Sequence, residues 1–203
     1  MAVAKTVRRL TEEEYLCHDR AANYKSEFFD GEMFAMAGGS PMHSLIAANL
    51  LRELGTKLKD RPCKAFTSDL RLKVEATGLD TYPDVSVVCG PLQFAAGTED
   101  TVVNPTLLVE VLSDSTEAYD RGEKFLHYRQ MPSLQEYLLV SQRLPRIEQF
   151  VRRADGEWTL RIAEGMDATL ALPSLEITVA LAEVFAGVDF IPVPIRTQTR
   201  SPA

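Results

Sequence analysis

The chain reads as an α/β (α+β) protein, a mixed β-sheet flanked by helices with an added N-terminal hairpin and a C-terminal β-meander. Three observations predict this class. Ile46, Leu50, Leu54 and Leu58 recur every four residues, the core face of a long helix. Two apolar runs, Val85-Ser86-Val87-Val88 and Leu107-Leu108-Val109-Glu110-Val111-Leu112, are continuous enough to be strands buried on both faces. After Pro145, apolar and polar residues alternate through Ile147 to Arg152 and Trp158 to Ile162, the pattern of half-buried strands.

Each element has its own signal. Thr11 with Glu14 forms a capping box, so a short helix runs to about Ala21. Asp30-Gly31 between Glu27-Phe28-Phe29 and Glu32-Met33-Phe34 marks a two-residue hairpin. Ser40 as N-cap and Pro41 at the first helical position open the long helix, predicted over 41–59. Strands are expected at 66–75, 83–89 and 106–112, and a helix from Ser115-Thr116 to about Gln130. A strand follows at Glu136 to Val140. Leu175, Ile177 and Val179 alternate as another, and Ala180 to Phe185 fits a last short helix. Residues 1–190 are expected to form a single domain, and the proline- and arginine-containing stretch 191–203 a flexible tail.

At 203 residues the chain is long enough to cover both faces of a sheet. Cys17, Cys63 and Cys89 are odd in number and widely spaced, with no CxxC pair, so neither a disulfide framework nor a zinc site is expected. The expectation is a reducing, cytoplasmic setting. The first residues lack the apolar core of a secretory signal, and no run is long enough to span a membrane. A net charge of −7 argues against coating nucleic acid by bulk electrostatics. A local groove stays open, because Lys57, Lys59, Arg61, Lys64, Arg71 and Lys73 lie close together in sequence. The favoured reading of that cluster is a solvated helix end; phosphate contact is the other.

The chemistry concentrates on Asp84 and Glu110. Each is a carboxylate in an apolar run, and burying an ionised carboxylate costs several kcal/mol or more unless a cation or hydrogen bonds compensate it. A shared hard cation such as Mg²⁺ is the simplest compensation, since it takes one or two carboxylates and leaves its other positions to water and phosphate. Lys124 belongs to the same place. The strand carries the chain ~10 Å beyond Glu110 and the following helix returns ~12 Å by residue 124, which sets Lys124 abreast of Glu110. A lysine there can position an attacking water and neutralise charge on phosphate. The alternative is an ordinary i,i+4 pair with Asp120.

These residues resemble the Uma-type endonuclease family of the PD-(D/E)XK, restriction-endonuclease-like superfamily. The resemblance rests on the 27–32 hairpin, His43, Ser68-Asp69, Pro83-Asp84-Val85, Glu110-Val111-Leu112-Ser113, Lys124 and Glu136-Tyr137-Leu138-Leu139-Val140. It implies a restriction-endonuclease-like core, with Asp84, Glu110 and the Val111 backbone carbonyl holding Mg²⁺ or Mn²⁺ and Lys124 completing the catalytic set. The implied activity is metal-dependent hydrolysis of phosphodiester bonds in nucleic acid, DNA foremost, by a homodimer. The chain departs from the superfamily motif at Leu112, where a lysine is expected, and at Ser141-Gln142, where the family often has an aspartate. The other reading is a non-catalytic nucleic-acid-binding or interaction protein on the same fold.

Three residues stand as possible support. His43, near the positive end of its helix, is expected to be neutral and to hydrogen-bond substrate or water. Asp69 is a third acidic contact or a turn residue. Glu27 and Glu32 flank the hairpin turn, and the resemblance favours Glu32 as the acid from an early element. Ser113 has no histidine base in supporting position and is not a nucleophile.

Overall fold

Two larger sheets and a separate two-stranded hairpin divide the strands, and the registers of the larger two decide which carboxylates meet. The computed structural model describes residues 9–190, so the expected tail at 191–203 lies outside the described residues. Helix α1 (Glu12–Ala21) begins at the expected capping box, Thr11 accepting from the Glu14 amide and Glu14 from the Thr11 amide. The hairpin β1 (Ser26–Phe29) and β2 (Glu32–Ala35) turns through Asp30 (φ 49°) and Gly31 (φ 78°), both left-handed as a two-residue turn requires. Phe28 packs on Tyr15 and Leu16 of α1, so alternation sends Glu27 and Phe29 to the opposite face.

Helix α2 (Pro41–Lys57) is capped by Ser40, and strands β3 (Cys63–Thr67), β4 (Arg71–Val74), β5 (Leu79–Thr81), β6 (Val85–Cys89), β7 (Thr101–Val102) and β8 (Leu107–Val111) follow. Helices α3 (Glu117–Arg121) and α4 (Glu123–Tyr128) cross over to β9 (Glu136–Val140), then β10 (Arg146–Arg152) and β11 (Trp158–Glu164). The hairpin β12 (Thr169–Leu172) and β13 (Ile177–Ala180) and helix α5 (Leu181–Val184) complete the described chain.

The large sheet runs β11-β10-β9-β8-β6-β3, with β8–β9 parallel and the other pairs antiparallel. A parallel pair needs a crossover, and α3–α4 supply it on one face. Val85, Val87, Val109, Val111, Leu138 and Val140 point to the other face, where Ile46, Leu50 and Leu54 of α2 cover them. Leu108, Leu112, Tyr137 and Leu139 point to the crossover side. Glu110 shares that side by strand alternation. The second sheet runs β2-β1-β5-β4-β7 and carries the hairpin.

Four expectations change. The strand expected at 66–75 is two, β3 in one sheet and β4 in the other, because Thr67-Ser68-Asp69 turn on themselves: the Asp69 amide donates to Thr67 Oγ1 at 3.3 Å and the Leu70 amide to Thr67 O at 3.2 Å. The helix expected to run to Gln130 breaks at Gly122 (φ −107°, ψ −96°), outside helical geometry. Cys63 and Cys89 are register partners on β3 and β6 and form a disulfide, while Cys17 is free and exposed. The cysteines therefore lend no support to a reducing, cytoplasmic setting. The basic cluster is neither the favoured solvated helix end throughout nor one groove. Arg71 is buried against Asp19 at 2.7 Å, Lys73 pairs with Glu12, Arg61 lies 3.3 Å from Glu176 and Lys57 3.8 Å from Glu53. Among the described residues, no helix is long and apolar enough to cross a membrane.

Asp80 on β5 is a buried carboxylate with no hydrogen-bond partner for either oxygen among the described residues. Its register partner Lys73 is engaged by Glu12, and burial, with Glu12 adding to it, pushes the Asp80 carboxyl up to about 7. Lys73 and Arg71 pull the other way, and Asp19 adds repulsion. A folded-state pKa above the unfolded one gives stability that is complete at low pH and is lost as pH rises through about 7. Asp80→Asn is expected to stabilise the protein at pH 8 by up to ~4 kcal/mol, the advantage vanishing near pH 4. Urea denaturation at the two pH values checks this; an equal difference at both contradicts it.

Candidate active site

The register Val85↔Val109, carried one residue past the β6–β8 ladder, sets Asp84 opposite Glu110. The two carboxylates are therefore neighbours at one end of the sheet, Glu110 on the α3–α4 side and Asp84 just ahead of β6. Asp84 Oδ2 accepts the Val111 amide at 2.7 Å and lies 3.0 Å from His43 Nε2, on the first turn of α2. Extended backbone turns a residue's N–H and C=O to the same side, so the Val111 carbonyl shares the side of Asp84. Gly39 leaves room for the imidazole: a Cβ there would stand 2.6 Å from His43 Nδ1.

Glu110 is buried, and its Oε1 accepts the Tyr128 hydroxyl at 2.8 Å and faces Lys124 Nζ at 3.0 Å. The ammonium of Lys124, itself buried, also lies 2.8 Å from Glu27 Oε1 and 3.7 Å from Asp120 Oδ1. Glu27 is held in turn by the hydroxyl of Thr81. Three carboxylates thus share one lysine, and the i,i+4 contact to Asp120 is its longest. Leu112, two residues past Glu110 on the same face, packs with Tyr128, Met131 and Leu134 and offers only hydrocarbon. The cation comes from α4 instead.

The charges show what the cluster lacks. Burial pushes Glu110 up to about 8, against the pull of Lys124, with Asp84 and Asp120 adding repulsion. Burial raises Asp120 as well. Burial works against the Lys124 ammonium, but Glu110, Glu27 and Asp120 outweigh it and hold its pKa well above the usual value. At His43 the hydrogen bond to Asp84 raises the pKa against burial, opposite in direction to the pull of the helix end. The nearby carboxylate outweighs the helix dipole.

Acids in excess of cations leave room for one more positive charge. The contacts described for Asp84 run through Oδ2 and those for Glu110 through Oε1. No three of His, Cys, Asp and Glu converge as a ligand set among the described residues. Two carboxylates and a carbonyl suit Mg²⁺ or Mn²⁺, which complete their shells with water and phosphate, and do not suit zinc. The donor set fits the implied metal.

The site opens into a cleft of about 1530 Å³. Gln142 braces it, its Nε2 donating to Leu112 O at 2.7 Å while its Oε1 accepts from Ser40 Oγ at 2.7 Å, tying the start of α2 to the end of β8. Glu32 sits exposed at the turn end of β2 and Asp69 in the exposed turn 2.8 Å from Lys25; neither lines the cleft. The acid that the hairpin sends in is Glu27. Its signal was the strand Ser26-Glu27-Phe28-Phe29, in which alternation separates Glu27 from the core-facing Phe28. Tyr128 and Asp120 gave no signal beyond helical spacing from Lys124.

Comparison with known proteins bears on the family and the fold. The model of the Uma2 family, described as "Putative restriction endonuclease", matches residues 12–182. Two relatives from Synechocystis sp. (strain ATCC 27184 / PCC 6803 / Kazusa), both uncharacterized, are similar over most of their length. Protein sll1609 is 37% identical over 177 residues, 87% of this chain and 100% of the relative. Protein slr1290 is 38% identical over 182 residues, 90% of this chain and 94% of the relative. A crystal structure from Anabaena variabilis ATCC 29413, described as "a putative nuclease belonging to DUF820", shares the fold at a TM-score of 0.70 and 18% identity, over 85% of this chain and 96% of that one. With the family match spanning both larger sheets and every residue of the Asp84, Glu110 and Lys124 cluster, the chain belongs to the Uma2 family.

Proposed function

We propose that the protein is a metal-dependent endonuclease hydrolysing phosphodiester bonds of nucleic acid, DNA foremost. The observation that carries this reading is the convergence of Asp84, Glu110 and Lys124, from three separate elements, at the floor of one cleft. Asp84, Glu110 and the Val111 carbonyl would hold Mg²⁺ or Mn²⁺. When bound, the ion supplies Lewis acidity and lowers the pKa of a water ligand. Lys124, kept charged by its carboxylates, donates to the attacking water and to the phosphate oxygen on which charge grows. Glu27 and Asp120 position that ammonium. His43 Nε2, 3.0 Å from Asp84 Oδ2, helps to hold that carboxylate in place.

A non-catalytic binding role is the reading that Leu112 favours; Lys124 at 3.0 Å from Glu110 answers it by supplying the missing cation. Supercoiled plasmid and single-stranded DNA incubated with Mg²⁺, Mn²⁺ or EDTA separate the two. Cleavage with metal and none in EDTA is expected, and no cleavage under any condition would favour the binding role. The assembly is a homodimer in this reading, formed along β11, an edge strand of the large sheet that leaves Leu160 and Ile162 exposed. Light scattering at micromolar concentration is expected to give twice the chain mass; the single-chain mass contradicts it. A cytoplasmic location completes the proposal, resting on the nucleic-acid substrate.

A further inference from the structure

The cleft is poorly made for a duplex. Every lysine and arginine lining it already holds a carboxylate: Lys25 with Asp69 at 2.8 Å, Arg121 with Glu117 at 2.8 Å and with Glu148, Arg143 with Asp114, Arg146 with Glu148 at 3.2 Å, and Lys124 as described. Carboxylates also outnumber these cations along the walls. Duplex affinity comes mainly from cations that neutralise phosphates on both strands, and no such stripe lines this cleft.

One wall is aromatic instead. Phe34 lies directly opposite Glu27 in the hairpin register, so its ring shares the face on which Glu27 grips Lys124. It is 50% exposed, and Tyr24, at 54%, lines the same cleft. Phe29, also on that face, is backed edge-on by His127 at a centroid distance of 4.6 Å. The other wall carries neutral hydroxyls, Ser113 Oγ lying 3.1 Å from Ser115 Oγ and 2.9 Å from Thr116 Oγ1. Aromatic faces bind bases, and only an unpaired strand can present base faces to a side chain.

We propose that the cleft takes a single nucleic-acid strand, its bases stacked on Phe34 and Tyr24 and its backbone led past Lys124 along the hydroxyl wall. This rests on the nuclease reading and names its substrate. Because the cations are already paired, affinity depends weakly on salt, with a log–log slope of about −1 rather than the steep slope of a many-phosphate interface.

The test is fluorescence anisotropy of wild-type protein in EDTA with a labelled single strand and a hairpin duplex of the same composition, alongside metal-dependent cleavage of both. The single strand is expected to bind ~10-fold or more tighter. Phe34→Ala should weaken its binding ~10-fold at unchanged melting temperature, and Phe34→Trp should restore it. Equal or tighter duplex binding, or a Phe34→Ala protein that binds the single strand as well as wild type, overturns the inference. If duplex alone is bound and cut, the nuclease reading stands and this inference fails. If neither form is bound or cut, both fail.

Discussion

Lys124→Ala is expected to slow metal-dependent cleavage ~10²-fold or more through lost electrostatic stabilisation of the phosphate. The effect should be large because nothing near Glu110 can replace the ammonium, Leu112 being packed among hydrocarbon. The same substitution leaves Glu110, Glu27 and Asp120 buried without their shared cation, which should cost about 3–5 kcal/mol of stability. Rates are therefore compared below the variant's melting temperature. Metal affinity should be unchanged or slightly higher, since a positive charge beside the site is removed. That separates Lys124 from a ligand. Full cleavage by Lys124→Ala on single- and double-stranded DNA would refute its role.

Asp84→Asn is expected to abolish cleavage and keep the fold. The asparagine oxygen can still accept the Val111 amide, so the β6–β8 end stays closed, while the negative charge needed for a cation is gone. His43 supplies an independent readout. Its pKa is raised by Asp84, so it should fall in the variant, and NMR titration of the imidazole follows it without any turnover. An unshifted His43 would mean that the pair does not persist in solution. Cleavage at the wild-type rate would remove Asp84 from the mechanism.

The parts of the site legible in sequence were those set by strong local rules. Glu110 and Asp84 stood out because a charge inside an apolar run is anomalous by itself, and Lys124 followed from the rise of a strand and of a helix. The Thr11 capping box and the Asp30-Gly31 turn also worked, since both depend on side chains within a few residues. The rest depended on register. Whether Glu27 or Glu32 enters the cleft is decided by Phe28 packing on Tyr15, a contact between two elements. The Cys63–Cys89 disulfide likewise exists only once β3 and β6 pair. Short β5 and β7, the β12 strand and the break at Gly122 were missed because two to four residues, or one glycine, carry too little periodicity to be read alone. Arg71 and Lys73 seemed to join a basic cluster until β4 turned them toward Asp19 and Glu12.

The central claim is that Asp84 and Glu110 together form a divalent-cation site, and Mn²⁺ binding followed by electron paramagnetic resonance tests it without any substrate. Wild type is expected to take up one Mn²⁺, Asp84→Asn and Glu110→Gln to bind it at least ~10-fold more weakly, and Lys124→Ala to retain it. Mn²⁺ bound equally by wild type and both carboxylate variants, or not bound by wild type, would contradict the account.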